Sequence, residues 1–156
     1  MAKEKPKKNK PTKTPAKTPA VDPRLTQAKQ DMETYQSKIT SAQYELTSMQ
    51  SKESSLINLR DRLSSEQDNI EEQKNKIDEK YMPSEDWRGD NYNAYQYYID
   101  GMKTEYGNEY TNIGNDIDDI NEEIRKLENS IYLKQSDIST YQIYLDTAKA
   151  TYNKLK

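Results

Sequence analysis

Three carboxylates stand close together in the second half of the chain: Asp116, Asp118 and Asp119. Clustered carboxylate oxygens are the ligands that Ca²⁺ prefers in proteins. An EF-hand loop, however, needs oxygen ligands at alternating positions around a central glycine, and this cluster has neither feature. We therefore interpret the cluster as the solvated face of a helix and expect no metal site there.

Other catalytic material is sparse in this sequence. The chain has no Cys and no His, which removes the thiolate nucleophile, the disulfide, the commonest general base and the commonest metal ligand. Carboxylates, Lys and Tyr remain, and no glycine-rich phosphate-binding loop follows a strand. We expect no enzyme activity, no cofactor and no small-molecule substrate.

The composition predicts an elongated helical protein. Only 31% of the residues are hydrophobic, 33% are charged and Phe is absent, so a large globular core cannot be built. A two-helix seam needs only a narrow apolar stripe. The sequence also lacks a transmembrane segment and the apolar core of a signal peptide. We expect a cytoplasmic location, or secretion in a complex without a cleaved signal peptide.

The first 22 residues differ in kind from the rest. Residues 1–24 carry eight basic side chains against Glu4 and Asp22, and five of the six prolines lie in this stretch. This composition predicts a disordered Lys/Pro/Thr-rich basic tail over residues 1–22. Its role stays open between a solubilising tail and an arm that binds an anionic polymer or surface.

A first helical arm is predicted over residues 23–82. Asp22-Pro23 is typical of a helix start, and Pro83 ends the helix. An apolar heptad stripe follows the arm, although its second half alternates with the polar residues Glu53, Arg60, Gln67 and Lys74. The apolar positions are Leu25, Ala28, Met32, Tyr35, Ile39, Ala42, Leu46, Met49, Leu56, Leu63, Ile70 and Ile77.

A second arm is predicted over residues 91–156. Its stripe has one irregularity, because Met102, Tyr106 and Tyr110 are separated by two consecutive steps of four residues, which locally unwinds a coiled coil. Glycines 101, 107 and 114 lie beside this irregularity, so we expect the softest part of the arm here. The stripe starts as Tyr92, Tyr95 and Ile99 before the irregularity and continues after it as Ile113, Ile117, Ile120, Ile124, Leu127, Ile131, Ile138, Tyr141, Leu145, Ala148, Tyr152 and Leu155.

The two arms have nearly equal lengths and are joined by a short break over residues 83–90. Matched arms with a short connection favour an all-α fold, a long antiparallel two-helix coiled-coil hairpin. The alternative is a continuous helix that dimerises in parallel, which would carry Pro83 and Gly89 through its middle. The break holds the only Trp of the chain, Trp87, followed by Arg88 and Gly89.

The sequence Trp87-Arg88-Gly89 resembles the Trp-x-Gly signature of the WXG-motif superfamily of type VII secretion proteins. A closer resemblance is to the YwqH-like family of Gram-positive bacteria, over about residues 25–156. It rests on Trp-x-Gly between matched arms, on Ala94 and Tyr98 behind it, and on the isoleucine-rich block that runs from Ile113 to Ile124.

This resemblance implies a non-enzymatic partner or targeting chaperone. Proteins of this type bind the helical N-terminal domain of an LXG toxin for type VIIb secretion, together in some cases with a second small helical protein. Exported WXG-type complexes usually carry Tyr-x-x-x-Asp/Glu after a C-terminal helix, whereas residues 152–156 read Tyr-Asn-Lys-Leu-Lys. Recognition by the secretion machine would then come from a partner or from a composite surface.

The predicted turn has two interpretations. The ring of Trp87 caps the hairpin while Gly89 permits a close backbone turn. By analogy with the family, the same residues would dock the secretion machine, and both roles can coexist in the assembled complex.

Some apolar side chains lie off the predicted seam and are candidates for partner binding, since a mixed helix bundle would bury them. Isolated surface hydrophobes are also normal in proteins without partners. Two functions remain as alternatives: a self-associating coiled-coil structural protein, and an anionic-polymer binder that acts through the tail, although nucleic acid is not the expected ligand. The candidates are Ile57, Leu59, Tyr97, Leu133, Ile143 and Tyr144.

Overall fold

A computed structural model describes residues 22–80 and 89–156, except for the side chain of Asp78. The ordered structure in these two ranges consists of helix α1, Pro23–Lys80, and helix α2, Asp90–Leu155. Their 58 and 66 residues correspond to roughly 87 and 99 Å of helix at 1.5 Å per residue. The predicted all-α class is confirmed. The predicted tail up to residue 21, residues 81–82 of the predicted first arm and the turn residues 83–88, Trp87 among them, lie outside the described residues.

Helix α1 begins at a capping arrangement built on Asp22. The Asp22 Oδ1 atom accepts a hydrogen bond from the backbone N–H of Arg24 at 2.9 Å, and the Asp22 carbonyl oxygen accepts one from Leu25 at 3.0 Å. Pro23 occupies the first helical position, where its missing N–H costs nothing. The Arg24 guanidinium also hydrogen-bonds the Asp22 carboxylate, which lowers the pKa of Asp22.

Helix α2 begins after Gly89, whose φ of 85° and ψ of −151° lie in a region that side chains rarely adopt. The start of α2 has no side-chain cap, but Asp90 places a carboxylate in the first turn, where the helix dipole favours negative charge. The sequence of the break thus uses glycine where the backbone conformation requires it.

The buried residues all belong to the predicted heptad stripes. The core is thin, and as a result no side chain in the described ranges is less than 2% exposed. A seam of this kind buries one narrow face of each helix and leaves the other faces in water. The buried residues are Ala28, Ile39, Ala42, Ile70 and Ile77 in α1, and Ile99, Ile113, Ile124, Ile131, Leu145 and Ala148 in α2.

Contacts between the helices follow a consistent order. Tyr35, early in α1, packs its ring 5.2 Å from that of Tyr144, late in α2. Further along α1, the Gln67 side-chain amide donates a hydrogen bond of 3.0 Å to the carbonyl oxygen of Tyr110. Residues later in α1 therefore contact residues earlier in α2.

Two glycines of α2 lie opposite polar residues of the seam. Glu53, Arg60, Gln67 and Lys74 are all half-buried. A Cβ atom at Gly114 would lie 3.0 Å from the Gln67 side-chain nitrogen, and one at Gly107 would lie 3.7 Å from the Lys74 ammonium nitrogen. The distance at Gly107 is an ordinary van der Waals contact, so only Gly114 makes room for a polar side chain of α1, that of Gln67. Helix α2 continues without interruption through this region.

Within the two described ranges, neither helix contains a stretch that is both long and apolar enough to cross a membrane.

Candidate interaction surface

The six predicted partner-binding residues differ in exposure. Ile57 is half-buried beside the seam, and Leu59 is 42% exposed. Tyr144 is 48% exposed because one side of its ring packs against Tyr35. Leu133, Ile143 and Tyr97 are more than half exposed. The most solvent-accessible candidates therefore lie on α2.

The structure brings only some of these candidates together. Ile143 and Tyr144 follow Leu133 along α2 by 10 and 11 residues. Eleven residues correspond to about three helical turns and about 16 Å, so Leu133 and Tyr144 point to the same side of the helix. Tyr97 lies 46 residues before Ile143, roughly 69 Å away along the helix axis, and it forms an edge contact with Tyr98 instead.

Three further tyrosines are more than two-thirds exposed and were not among the predicted candidates. Tyr44 is 79% exposed, Tyr98 is 70% exposed and Tyr132 is 68% exposed. Tyr132 immediately precedes Leu133. Tyr132 and Ile143 are 11 residues apart, as are Leu133 and Tyr144, so Tyr132 and Ile143 also point to a common side of α2. Heptad position alone could have identified all three, since each falls outside the apolar stripe.

Five exposed large hydrophobic side chains lie in a part of the molecule that carries little charge. Residues 34–50 of α1 lie alongside residues 129–145 of α2, as the Tyr35–Tyr144 and Glu45–Lys134 contacts show. Only four of these 34 residues are charged, against 33% in the whole chain. We call this part the low-charge belt. Its exposed large hydrophobic residues are Tyr44, Tyr132, Leu133, Ile143 and Tyr144.

Three of the four charges in the belt are engaged between the helices. The Lys134 ammonium lies 2.7 Å from the Glu45 carboxylate, and their hydrogen bond lowers the pKa of Glu45 and raises that of Lys134. The Lys38 ammonium sits 5.5 Å from the ring centre of Tyr35 and 5.4 Å from that of Tyr141, a cation–π arrangement. The fourth charge, Asp137, is exposed.

The neighbouring part of α2 is strongly acidic. Residues 100–128 contain nine acidic and three basic side chains. Asp116, Asp118 and Asp119 are all exposed there. No group of three acidic residues suited to hold a metal ion occurs within residues 22–80 and 89–156. The change from acidic surface to low-charge belt marks off a region with the composition of an interface core, where charged residues are depleted and tyrosine is enriched.

The predicted turn residues are only partly described. Gly89 is described and adopts the positive φ given above, whereas Trp87 lies outside the described residues. The docking role predicted for this pair therefore stays a prediction.

Comparison with family models, curated proteins and solved structures finds no match to this chain.

Proposed function

We propose that this chain is a non-enzymatic partner protein that binds a helical domain of another protein. The observation that carries the proposal is the low-charge belt, in which large apolar side chains stay exposed on α2. Leu133 is 56% exposed and Ile143 is 64% exposed. Covering such side chains with an amphipathic helix would contribute about 25 cal/mol for each Å² of apolar surface removed from water, from which the entropy cost of association is subtracted.

The proposal includes the arrangement of the two helices. We infer that α1 and α2 are the arms of one antiparallel hairpin with the Trp-x-Gly segment at its tip. The order of the interhelical contacts, from Tyr35 with Tyr144 to Gln67 with Tyr110, supports this arrangement. The positive φ of Gly89 at the start of α2 supports a sharp change of chain direction at the break.

For the partner we propose the helical N-terminal domain of an LXG toxin, with the chain acting as a targeting chaperone for type VIIb secretion. The support is the resemblance carried by Trp87, Gly89 and the isoleucine-rich block from Ile113 to Ile124. A helical toxin domain also fits the belt physically, because a long helix can follow both arms and form a mixed bundle.

Co-expression with an LXG toxin encoded beside this chain tests the proposal. We expect a stable complex of fixed stoichiometry by native mass spectrometry. Leu133→Glu together with Ile143→Glu should weaken the complex at least tenfold, because it places charge inside the apolar contact. Asn115→Glu is the matched control, since it adds a carboxylate on an exposed part of α2 outside the belt. Homo-oligomers alone in the co-expression would disprove the toxin partner.

A Trp87→Ala variant separates the two roles of the turn. Loss of toxin export with an unchanged melting curve would assign docking to the turn. Early melting with normal export at low temperature would assign only a structural cap.

A further inference from the structure

Helix α1 carries a repeated pair of uncharged side chains on its outer surface. Glutamine is followed four residues later by threonine or serine three times, with a period of seven residues: Gln36 and Thr40, Gln43 and Thr47, Gln50 and Ser54. All six are exposed. A seven-residue period keeps them on one stripe, which extends about 27 Å along the helix. We call this stripe the glutamine–threonine row.

The charged residues of this segment avoid the row. Lys38, Glu45 and Lys52 are themselves seven residues apart, so they form a separate stripe, and Lys38 and Glu45 contact Tyr141 and Lys134 of α2. From residue 60 to residue 80, by contrast, twelve of the residues of α1 are charged. The row is thus an uncharged strip on α1, whereas the rest of α1 toward Lys80 is largely ionic.

The hydroxyl groups of the row are already hydrogen-bonded within the helix. Thr40 donates to the Gln36 carbonyl oxygen, Thr47 to that of Gln43, and Ser54 to that of Gln50, each at 3.0 Å. The hydroxyl protons therefore need no further acceptor, and these hydrogen bonds within the helix are kept when the residues are covered. The small side chains also permit a second helix to approach closely.

Two exposed tyrosines border the row. Tyr44 lies beside Gln43 on α1 and is 79% exposed. The Glu45–Lys134 contact shows the register of the helices, and this register places Tyr132 of α2, which is 68% exposed, level with Thr47. The row therefore combines uncharged polar side chains with tyrosine rings whose burial in a contact would be favourable.

We propose that the glutamine–threonine row is the contact surface for a second copy of this chain, which packs against it with two-fold symmetry. A primary amide both donates and accepts hydrogen bonds, so a row of glutamines is complementary to itself. An uncharged row brings no like charges together, whereas the acidic surface of residues 100–128 would repel its own copy. The row is centred on α1, whereas Leu133 and Ile143, on which the proposed partner contact rests, lie on α2. Tyr44 and Tyr132 belong to both surfaces, but this inference does not depend on the toxin partner.

The absence of cysteine from the chain makes cross-linking a direct test on the purified full-length protein. Gln43→Cys, Thr47→Cys and Gln50→Cys are made separately and oxidised. At least one should form a disulfide-linked dimer at least tenfold faster than Thr111→Cys, because a symmetric contact holds the two thiols at high effective concentration. Thr111 is the matched control, since it is exposed on α2 and its hydroxyl donates to the Gly107 carbonyl oxygen in the same way.

Sedimentation equilibrium supplies the second measurement. The unmodified chain should reach twice its mass of 18.3 kDa, and Thr47→Arg should return it to monomer while Thr111→Arg leaves the dimer intact. A monomer at all concentrations up to about 1 mM overturns the proposal. It is equally overturned by a dimer that Thr47→Arg leaves intact, or by Cys variants that cross-link no faster than the control. A monomer whose Thr47→Arg variant loses a co-expressed partner would assign the row to that partner instead.

Discussion

The side-chain amide of Gln67 donates a hydrogen bond to the backbone carbonyl oxygen of Tyr110, 3.0 Å away on the opposite helix. In an α-helix this carbonyl already accepts the N–H of the residue four positions later, which is Gly114. The amide reaches it because Gly114 has no Cβ, and a Cβ built there would lie 3.0 Å from the amide nitrogen. Gln67 and Gly114 are therefore a matched pair across the seam.

Gly101→Ala and Gly114→Ala should differ in their effect on stability. A Cβ at Gly101 meets no atom within 4 Å, so alanine there should stabilise the protein by about 0.5–1 kcal/mol through helix propensity. At Gly114 the same gain is offset because the Gln67 amide must move. Urea unfolding followed by circular dichroism measures both values. A Gln67→Ala background should restore the full gain at Gly114, and equal gains at the two sites in the unmodified background would contradict the pairing.

Gly89→Ala should destabilise the protein, in contrast to Gly101→Ala. Gly89 has a φ of 85° and a ψ of −151°, and a residue with a Cβ pays about 1–3 kcal/mol to adopt such a conformation. The space around Gly89 is open, so the cost comes from the backbone and not from a clash. Thermal unfolding should show a lower midpoint for Gly89→Ala. An unchanged midpoint would mean that the start of α2 relaxes to another conformation.

The core of this protein was predictable from its sequence, whereas its surface organisation was not. Ile39, Leu145 and the other buried residues lie on stripes that a local period of 3.5 residues reveals. The low-charge belt depends on which part of α1 lies beside which part of α2, a register that the contact between Glu45 and Lys134 shows. Tyr44 and Tyr132 could have been identified by their heptad positions, but their grouping in one belt could not, since it depends on this register.

Leu145→Ala and Ile143→Ala provide a test of the seam with two residues only two positions apart, on opposite sides of α2. Leu145 is 2% exposed and Ile143 is 64% exposed. Truncating the buried leucine should cost about 2–4 kcal/mol of unfolding free energy, because it removes apolar contacts and leaves a cavity. Truncating the exposed isoleucine should change stability by less than about 0.5 kcal/mol. Chemical denaturation of both variants checks the contrast, and comparable losses would show that α2 is rotated relative to its described position.

The ion pair between Lys134 and Glu45 predicts a specific pH dependence. Its hydrogen bond lowers the pKa of Glu45 in the folded chain, so the stability that it contributes is present above the unfolded pKa of Glu45 and is lost as the pH falls through the folded pKa. Lys134→Met should return the pKa of Glu45 toward its ordinary value and make unfolding less sensitive to pH in this acidic range. The effect on stability should be small, because the Glu45 carboxylate is solvent-exposed and water screens the pair.

Carbon-detected NMR titration of the Glu45 carboxyl group measures this shift directly. Glu122 is the internal control, because its pKa is lowered by Lys126 on the same helix and should be unaffected by Lys134→Met. An unchanged Glu45 pKa in the variant would mean that the two side chains do not pair in solution. The low-charge belt would then lose its central contact between the helices, and Tyr132 would no longer be placed level with Thr47 by this contact.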